Sequence, residues 1–163
     1  AVNTHLAGAA GVVTGAILTR IVGGKTDIIM MLNGALAGLV AITAEPLTPT
    51  PFQAIIIGSI GSIIMYYGTK FLEYQKLDDV VGAIPVHMFA GIWGTLAVPI
   101  TNVKTSFVTQ LLGTISVCVF SFVLSYIAFK AMKETIGIRI SKKAEKLGTD
   151  VSEIGVAAYA IRD

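Results

Sequence analysis

The chain has 163 residues, of which 54% are hydrophobic and only 13% charged; 12 Lys and Arg stand against 10 Asp and Glu, a net charge of +2. With a mean hydropathy of +0.78, this composition excludes an ordinary soluble globule. So small a cationic excess excludes nucleic acid as a partner, because phosphate neutralisation needs clustered Lys and Arg. One cysteine, Cys118, permits neither an intrachain disulfide nor a Cys-type metal centre.

Charge-free stretches run over Ala1–Thr19, Ile28–Ala44, Pro46–Thr69, Val80–Val103 and Thr105–Phe129. Each is close to the roughly 20 residues that carry a helix across a bilayer. The expectation is an all-α membrane protein with five transmembrane helices at about 1–22, 28–45, 51–72, 80–102 and 105–132. These make a membrane domain over 1–133, followed by a tail over 134–163. The first stretch holds Asn3 and His5 but lacks both the positive start of an export signal and an initiator Met, so it reads as a span whose upstream neighbours are missing. Pro46, Pro49 and Pro51 predict an extended or turning connection between the second and third spans. Gly11 with Gly15, Gly34 with Gly38, Gly58 with Ser62 and Ala90 with Gly94 are small residues spaced to let helix backbones approach closely.

The cations set the orientation. Eleven Lys and Arg fall in the first and third connections and in the tail, among them Arg20, Lys25, Lys70, Lys76, Arg139 and Arg162; Lys104 alone falls on the other face. Because cytoplasmic segments retain Lys and Arg, the C-terminus is expected inside and Ala1 outside.

One residue stands out against this apolar background. His87 follows Asp78 by nine positions, about 13 Å along a helix and thus near the middle of a core about 30 Å thick. An ionisable side chain at that depth usually faces a pore or an internal partner. Helical spacing places Ala83, Ile84, Ala90 and Gly91 on its face. Gly82, Pro85 and Gly91 should bend or loosen the helix beside it. A neutral imidazole offers one donor and one acceptor, which suits ammonia shedding its water; a structural bond to a neighbouring helix is the alternative.

The other polar residues carry less. His5 sits near the outer end of its span, where water can reach it. Thr43 could offer its hydroxyl to an outer vestibule or bond its own helix. Trp93 reads as packing or as an interfacial anchor, and Asp78 and Asp79 as helix caps. No nucleophile and base arrangement, phosphate loop or metal constellation is present, so neither an enzyme nor a cofactor is expected.

The segment DDVVGAIPVHMFAGIWGTL, Asp78 to Leu96, closely resembles the second histidine-bearing segment of the ammonium transporter family, the Amt/Mep/Rh proteins. Around it, AVNTHLAGAAG resembles the family's seventh span, LNGALAGLVAITA its eighth, the run after Pro51 its ninth, and Ser106 to Met132 its long last span. GIRISKKAEKLGTDVSEIGVAAY is similar to the family's cytoplasmic tail.

The resemblance implies the second half of an eleven-span inverted-repeat fold, assembled as a homotrimer with one pore per subunit in the plasma or inner membrane. His87 would be one of the paired pore histidines, with Ala83, Ile84 and Gly91 lining the bore and Thr43 at the outer ammonium-recruitment site. Gly137, Arg139, Gly148, Asp150, Gly155 and Tyr159 would belong to a regulatory tail that binds a PII-type cytosolic regulator or couples subunits. The implied activity is ammonium transport by deprotonation and passage of ammonia past the histidines, with the N-terminal half as partner. An Amt-like sensor joined to a cytoplasmic signalling module is a second reading, and a packing remnant a third. Gly82 stands where many bacterial members have aspartate, Pro85 where glycine is common, and the tail reads SEIGV where Ser-Glu-His-Gly is frequent.

Overall fold

The computed structural model describes residues 1–158, so Tyr159 and Arg162 lie outside the described residues. The elements are α1 (Val2–Gly23), α2 (Ile28–Thr43), α3 (Pro51–Tyr74), a π-helical segment (Ile84–Phe89) continuous with α4 (Ala90–Thr101), α5 (Phe107–Thr135), α6 (Lys142–Leu147) and a π-helical turn (Asp150–Ile154). Among the described residues no strand forms. The protein is thus an all-α membrane protein. By length and composition, α1, α3, the joined helix Ile84–Thr101 and α5 are each able to cross a membrane. α2, expected over 28–45, has 16 residues, about 24 Å of helix against a hydrocarbon core of about 30 Å.

Local chemistry sets these boundaries. Gly24 ends α1 in the left-handed region at φ 72°, and Asp27 opens α2 by accepting from the N–H groups of Ile29 and Met30 at 2.8 and 3.0 Å. α3 begins with a capping box in which Thr50 and Gln53 bond each other's backbone N–H. Pro51 does not prolong the connection; it is the first residue of α3, where its missing N–H would have had no helical partner. The turn ahead of it is held by Asn3, whose amide donates to the carbonyls of Pro46 at 3.0 Å and Pro49 at 2.6 Å.

Two compact units divide inside α5, Ala1–Val117 and Cys118–Asp163. In the first, α1, α2 and α3 pack through their small residues. A Cβ on Gly11 would strike the Gly34 carbonyl, and one on Gly58 would strike Ala7. Close approach lets Ser62 donate to the Gly11 carbonyl at 2.9 Å within the buried interface. One core cluster joins Ala7, Ala41, Ile42, Ala54, Ile57 and Ala97, with Trp93 packed against it and donating its indole N–H to the Ile57 carbonyl at 3.1 Å. Trp93 is therefore a packing residue. A second cluster gathers Ala37, Met65, Tyr66, Val86 and Ala90. α5 is apolar on all sides and buries none of its residues.

In the second unit, Gly137 follows α5 at φ 75°, and its N–H bonds the Met132 carbonyl at 3.0 Å. Ser141 caps α6 by accepting from Ala144 N–H at 3.1 Å, and Arg139 pairs with Glu145 at 2.8 Å. Gly148 and Gly155, at φ 97° and 78°, flank the π-helical turn. Asp150 closes the segment by accepting from Ala158 N–H at 2.7 Å. That bond, helped by the Val151 N–H, holds the exposed carboxyl below its usual range.

Two outcomes are expected. In the full-length protein, Gly58→Val should cost about 1–3 kcal/mol by overpacking and Ser62→Ala about 0.6–1.7 kcal/mol, read by thermal unfolding in detergent. A depressed carboxyl pKa gives stabilisation that is present at neutral pH and lost as pH falls through the folded-state value. Asp150→Asn should therefore speed amide exchange at Ala158 at neutral pH, with the difference from the parent protein disappearing in acid.

Candidate functional site

The segment bearing His87 starts at a constructed turn. Gly82, at φ 74°, reverses the chain, and Asp79 then accepts from Ala83 N–H and Ile84 N–H, each at 2.8 Å, one with each carboxylate oxygen. The expected capping role thus falls to Asp79, which satisfies two N–H groups that a helix start leaves free. Pro85 has no N–H to satisfy. It lies in the first turn of the helix, where its N–H would have had no helical partner. Ahead of Gly82 and outside the helix, the Val81 carbonyl accepts from α2, where the side-chain amide of Asn33 donates to it at 3.0 Å.

Past Pro85 the helix widens. Ala90 N–H reaches the carbonyl of Pro85, five residues back, as well as that of His87. This is the i→i+5 pattern of a π-helix, which spreads a turn over more residues than the 3.6 of an α-helix. The loosening expected around Gly82 and Pro85 takes this form, and it changes which residues share a face. His87, Ala83, Ile84 (38%) and Met88 (48%) are exposed, whereas Pro85, Val86 and Ala90 are buried. The placement of Ala90 beside His87 is accordingly corrected. It assumed α-helical spacing, and the wider turn carries Ala90 into the core against α2 and α3. Gly91 is half-buried, and a Cβ there would meet only Val40 Cγ1, at 3.6 Å.

His87 was expected to be enclosed; in this chain its ring lies on the open side of the segment, because the packed neighbours all meet the Pro85, Val86 and Ala90 side. Among the described residues no group hydrogen-bonds the imidazole, so the alternative of a tie to a neighbouring helix finds no partner here. His5, the other histidine, is exposed near the start of α1.

Thr43, exposed at the end of α2, donates its hydroxyl to the Val40 carbonyl at 2.6 Å. Its proton is therefore committed to its own helix and is not offered to a vestibule. The oxygen keeps lone pairs with which it can accept.

Two residues gain importance only in the folded chain. Asn33 bridges α2 to the turn before His87. Glu45, two residues after Thr43, accepts from Leu47 N–H, Thr48 N–H and the Asn102 amide at 3.2–3.3 Å. A lone acid in a proline-rich connection was the available signal for Glu45; nothing in spacing marks Asn33. A cavity of about 280 Å³ lies elsewhere, lined by Thr19, Lys25, Asp27, Met30, Tyr66 and Lys70 among others, and includes none of the expected site residues. Among the described residues no cluster of His, Cys, Asp or Glu could hold a metal ion.

Comparison with known proteins addresses this arrangement. The family model described as the Ammonium Transporter Family matches residues 1–159. Ammonium transporter Amt2 of Archaeoglobus fulgidus is 40% identical, with 96% of this chain covering 38% of that protein. Ammonium transporter Amt1 of Methanocaldococcus jannaschii is 33% identical, with 98% covering 42%. Among solved structures, one titled as a sensor Amt protein superposes with a TM-score of 0.86 at 32% identity, covering 93% of this chain and 40% of its own. Candida albicans Mep2 does so with a TM-score of 0.79 at 26% identity, covering 94% and 39%. The chain spans about two fifths of the length of these relatives. With a family model matched over nearly its whole length, and with small-residue helix packing around a histidine-bearing segment, this chain belongs to the ammonium transporter family.

Proposed function

We propose that this chain forms the second half of an ammonium channel or transporter, in which His87 handles ammonia after ammonium has lost its proton. The observation that carries the reading is the imidazole on the open face of the π-helical segment, without a hydrogen-bond partner among the described residues. A first half of the same protein would close over that face and supply the rest of the bore. Ala83, Ile84 and Gly91 then line it, and the lone pairs of Thr43, near the Glu45 carboxylate, receive ammonium at the outer mouth.

Desolvation is the physical reason for deprotonation. Moving a bare cation through an apolar bore costs far more than moving a neutral molecule that can exchange hydrogen bonds on the way. Ammonium can leave a proton behind to a separate relay and pass as ammonia. Potassium has no proton to lose, so the same scheme excludes it.

In this reading the whole protein is a homotrimer in the plasma or inner membrane, with its C-terminus in the cytoplasm. Gly137, Arg139, Gly148, Asp150 and Gly155, with Tyr159 beyond the described residues, form a tail available to a PII-type regulator or to neighbouring subunits. The likeness to the sensor Amt protein favours a second reading: ammonium binding read out by a signalling module. Signalling that persists when flux is abolished would select it.

In the reconstituted full-length protein, His87→Ala should lower methylammonium uptake, or its discrimination against potassium, by about tenfold or more. That is the scale of one lost hydrogen bond to a charged or proton-exchanging group, about 1.5–3 kcal/mol. Unchanged flux and selectivity would remove His87 from the mechanism. Gly91→Ala should fold normally, its Cβ in ordinary contact with Val40, while Gly91→Phe should reduce flux with little loss of membrane-inserted protein.

A further inference from the structure

We infer that Asn33 is a positioning residue for His87, its side-chain amide tying down the turn from which the His87 segment starts. The inference rests on the proposed role of His87 and extends it to the element that aims the ring. Val81 O, just ahead of the helix start, is the atom to which Asn33 Nδ2 donates at 3.0 Å. Next to it, Gly82 takes φ 74°, and any Cβ there would lie 2.6 Å from Asn33 Nδ2. Gly82 thus serves both the turn and the approach of the amide. Asp79 fixes the following two N–H groups. Asn33, Gly82 and Asp79 therefore hold the three consecutive peptide units ahead of Pro85.

The consequence reaches His87 through the backbone alone. The π-helical segment begins at Ile84, immediately after this clamp, and its wider turn separates His87 on the open side from Ala90 in the core. Tied to Val81 at one end and packed through Val86 and Ala90 at the other, the segment has one register. With Val81 O released, the proline turn is free to shift, and the imidazole moves with it. Asn33 touches neither the ring nor the bore in this scheme; it acts through Val81, Gly82 and the register of the next turn.

The experiment uses the full-length protein in proteoliposomes, with membrane insertion and oligomeric state checked for every variant. Asn33→Leu, similar in volume but without a donor, should lower discrimination of methylammonium against potassium by about tenfold. In a His87→Ala background it should change discrimination no further. In protein labelled at histidine nitrogen, Asn33→Leu should shift the His87 ring resonances. Parent-like discrimination in Asn33→Leu, or an equal loss in the His87→Ala background, would each overturn the inference. If His87→Ala alone leaves flux and selectivity intact while Asn33→Leu still moves the ring signal, positioning stands and the proposed role of His87 falls.

Discussion

Hydrocarbon offers no hydrogen bonds, so each backbone N–H and C=O that a membrane helix cannot pair internally must find a partner elsewhere in the protein, at a cost of several kcal/mol if it does not. The distinctive features of this chain gather where a helix fails to pair its own groups. Ahead of His87 a helix starts after Gly82, and the surroundings supply a carboxylate on two of its free N–H groups, an amide from α2 on the preceding Val81 carbonyl, and a widened turn through which the helix continues. At the connection between α2 and α3, Asn3 donates to the carbonyls of Pro46 and Pro49. In both places a side chain distant in sequence completes a turn that the helices leave open.

Close packing makes such completions reachable. Asn33 is 48 positions from Val81 and Ser62 is 51 from Gly11, and short side chains bridge these gaps only because the backbones nearly touch. Lipid tails are as apolar as the helix faces, so no hydrophobic gain drives α1, α2 and α3 together; dispersion contacts and interhelical hydrogen bonds must do so. Both improve as side chains shrink. The glycines on these helices therefore determine how near a polar side chain comes to a foreign carbonyl, and so which irregularities the bundle can tolerate.

In the proposed reading the chemistry at His87 depends on this rigidity: an imidazole would pass ammonia along only while its ring is held in line with the path, and a π-helical turn is a conformation that its surroundings must enforce. The departure from the family pattern at Gly82 has a physical explanation: residue 82 must accept a positive φ and the nearby Asn33 amide. At the end of α2, Thr43 and Glu45 have both committed part of their hydrogen-bonding capacity to the fold. What remains on each is acceptor capacity, which in the proposed reading complements an ammonium ion.

Hydropathy and charge placement alone settled that the chain is helical and membrane-embedded, and the motif around His87 was enough to identify the family, because those properties depend on residue types and local spacing. Small-residue spacing likewise marked the faces on which α1, α2 and α3 meet. Three matters were left to the tertiary structure. Ala90 lies in the core and not beside His87, since an assumed 3.6-residue turn gives the wrong face once the turn is wider. Thr43 spends its proton on Val40, a competition between acceptors that spacing does not rank. Asn33 matters because folding brings α2 alongside Val81, and a hydrogen bond between residues 48 positions apart leaves no periodicity to read.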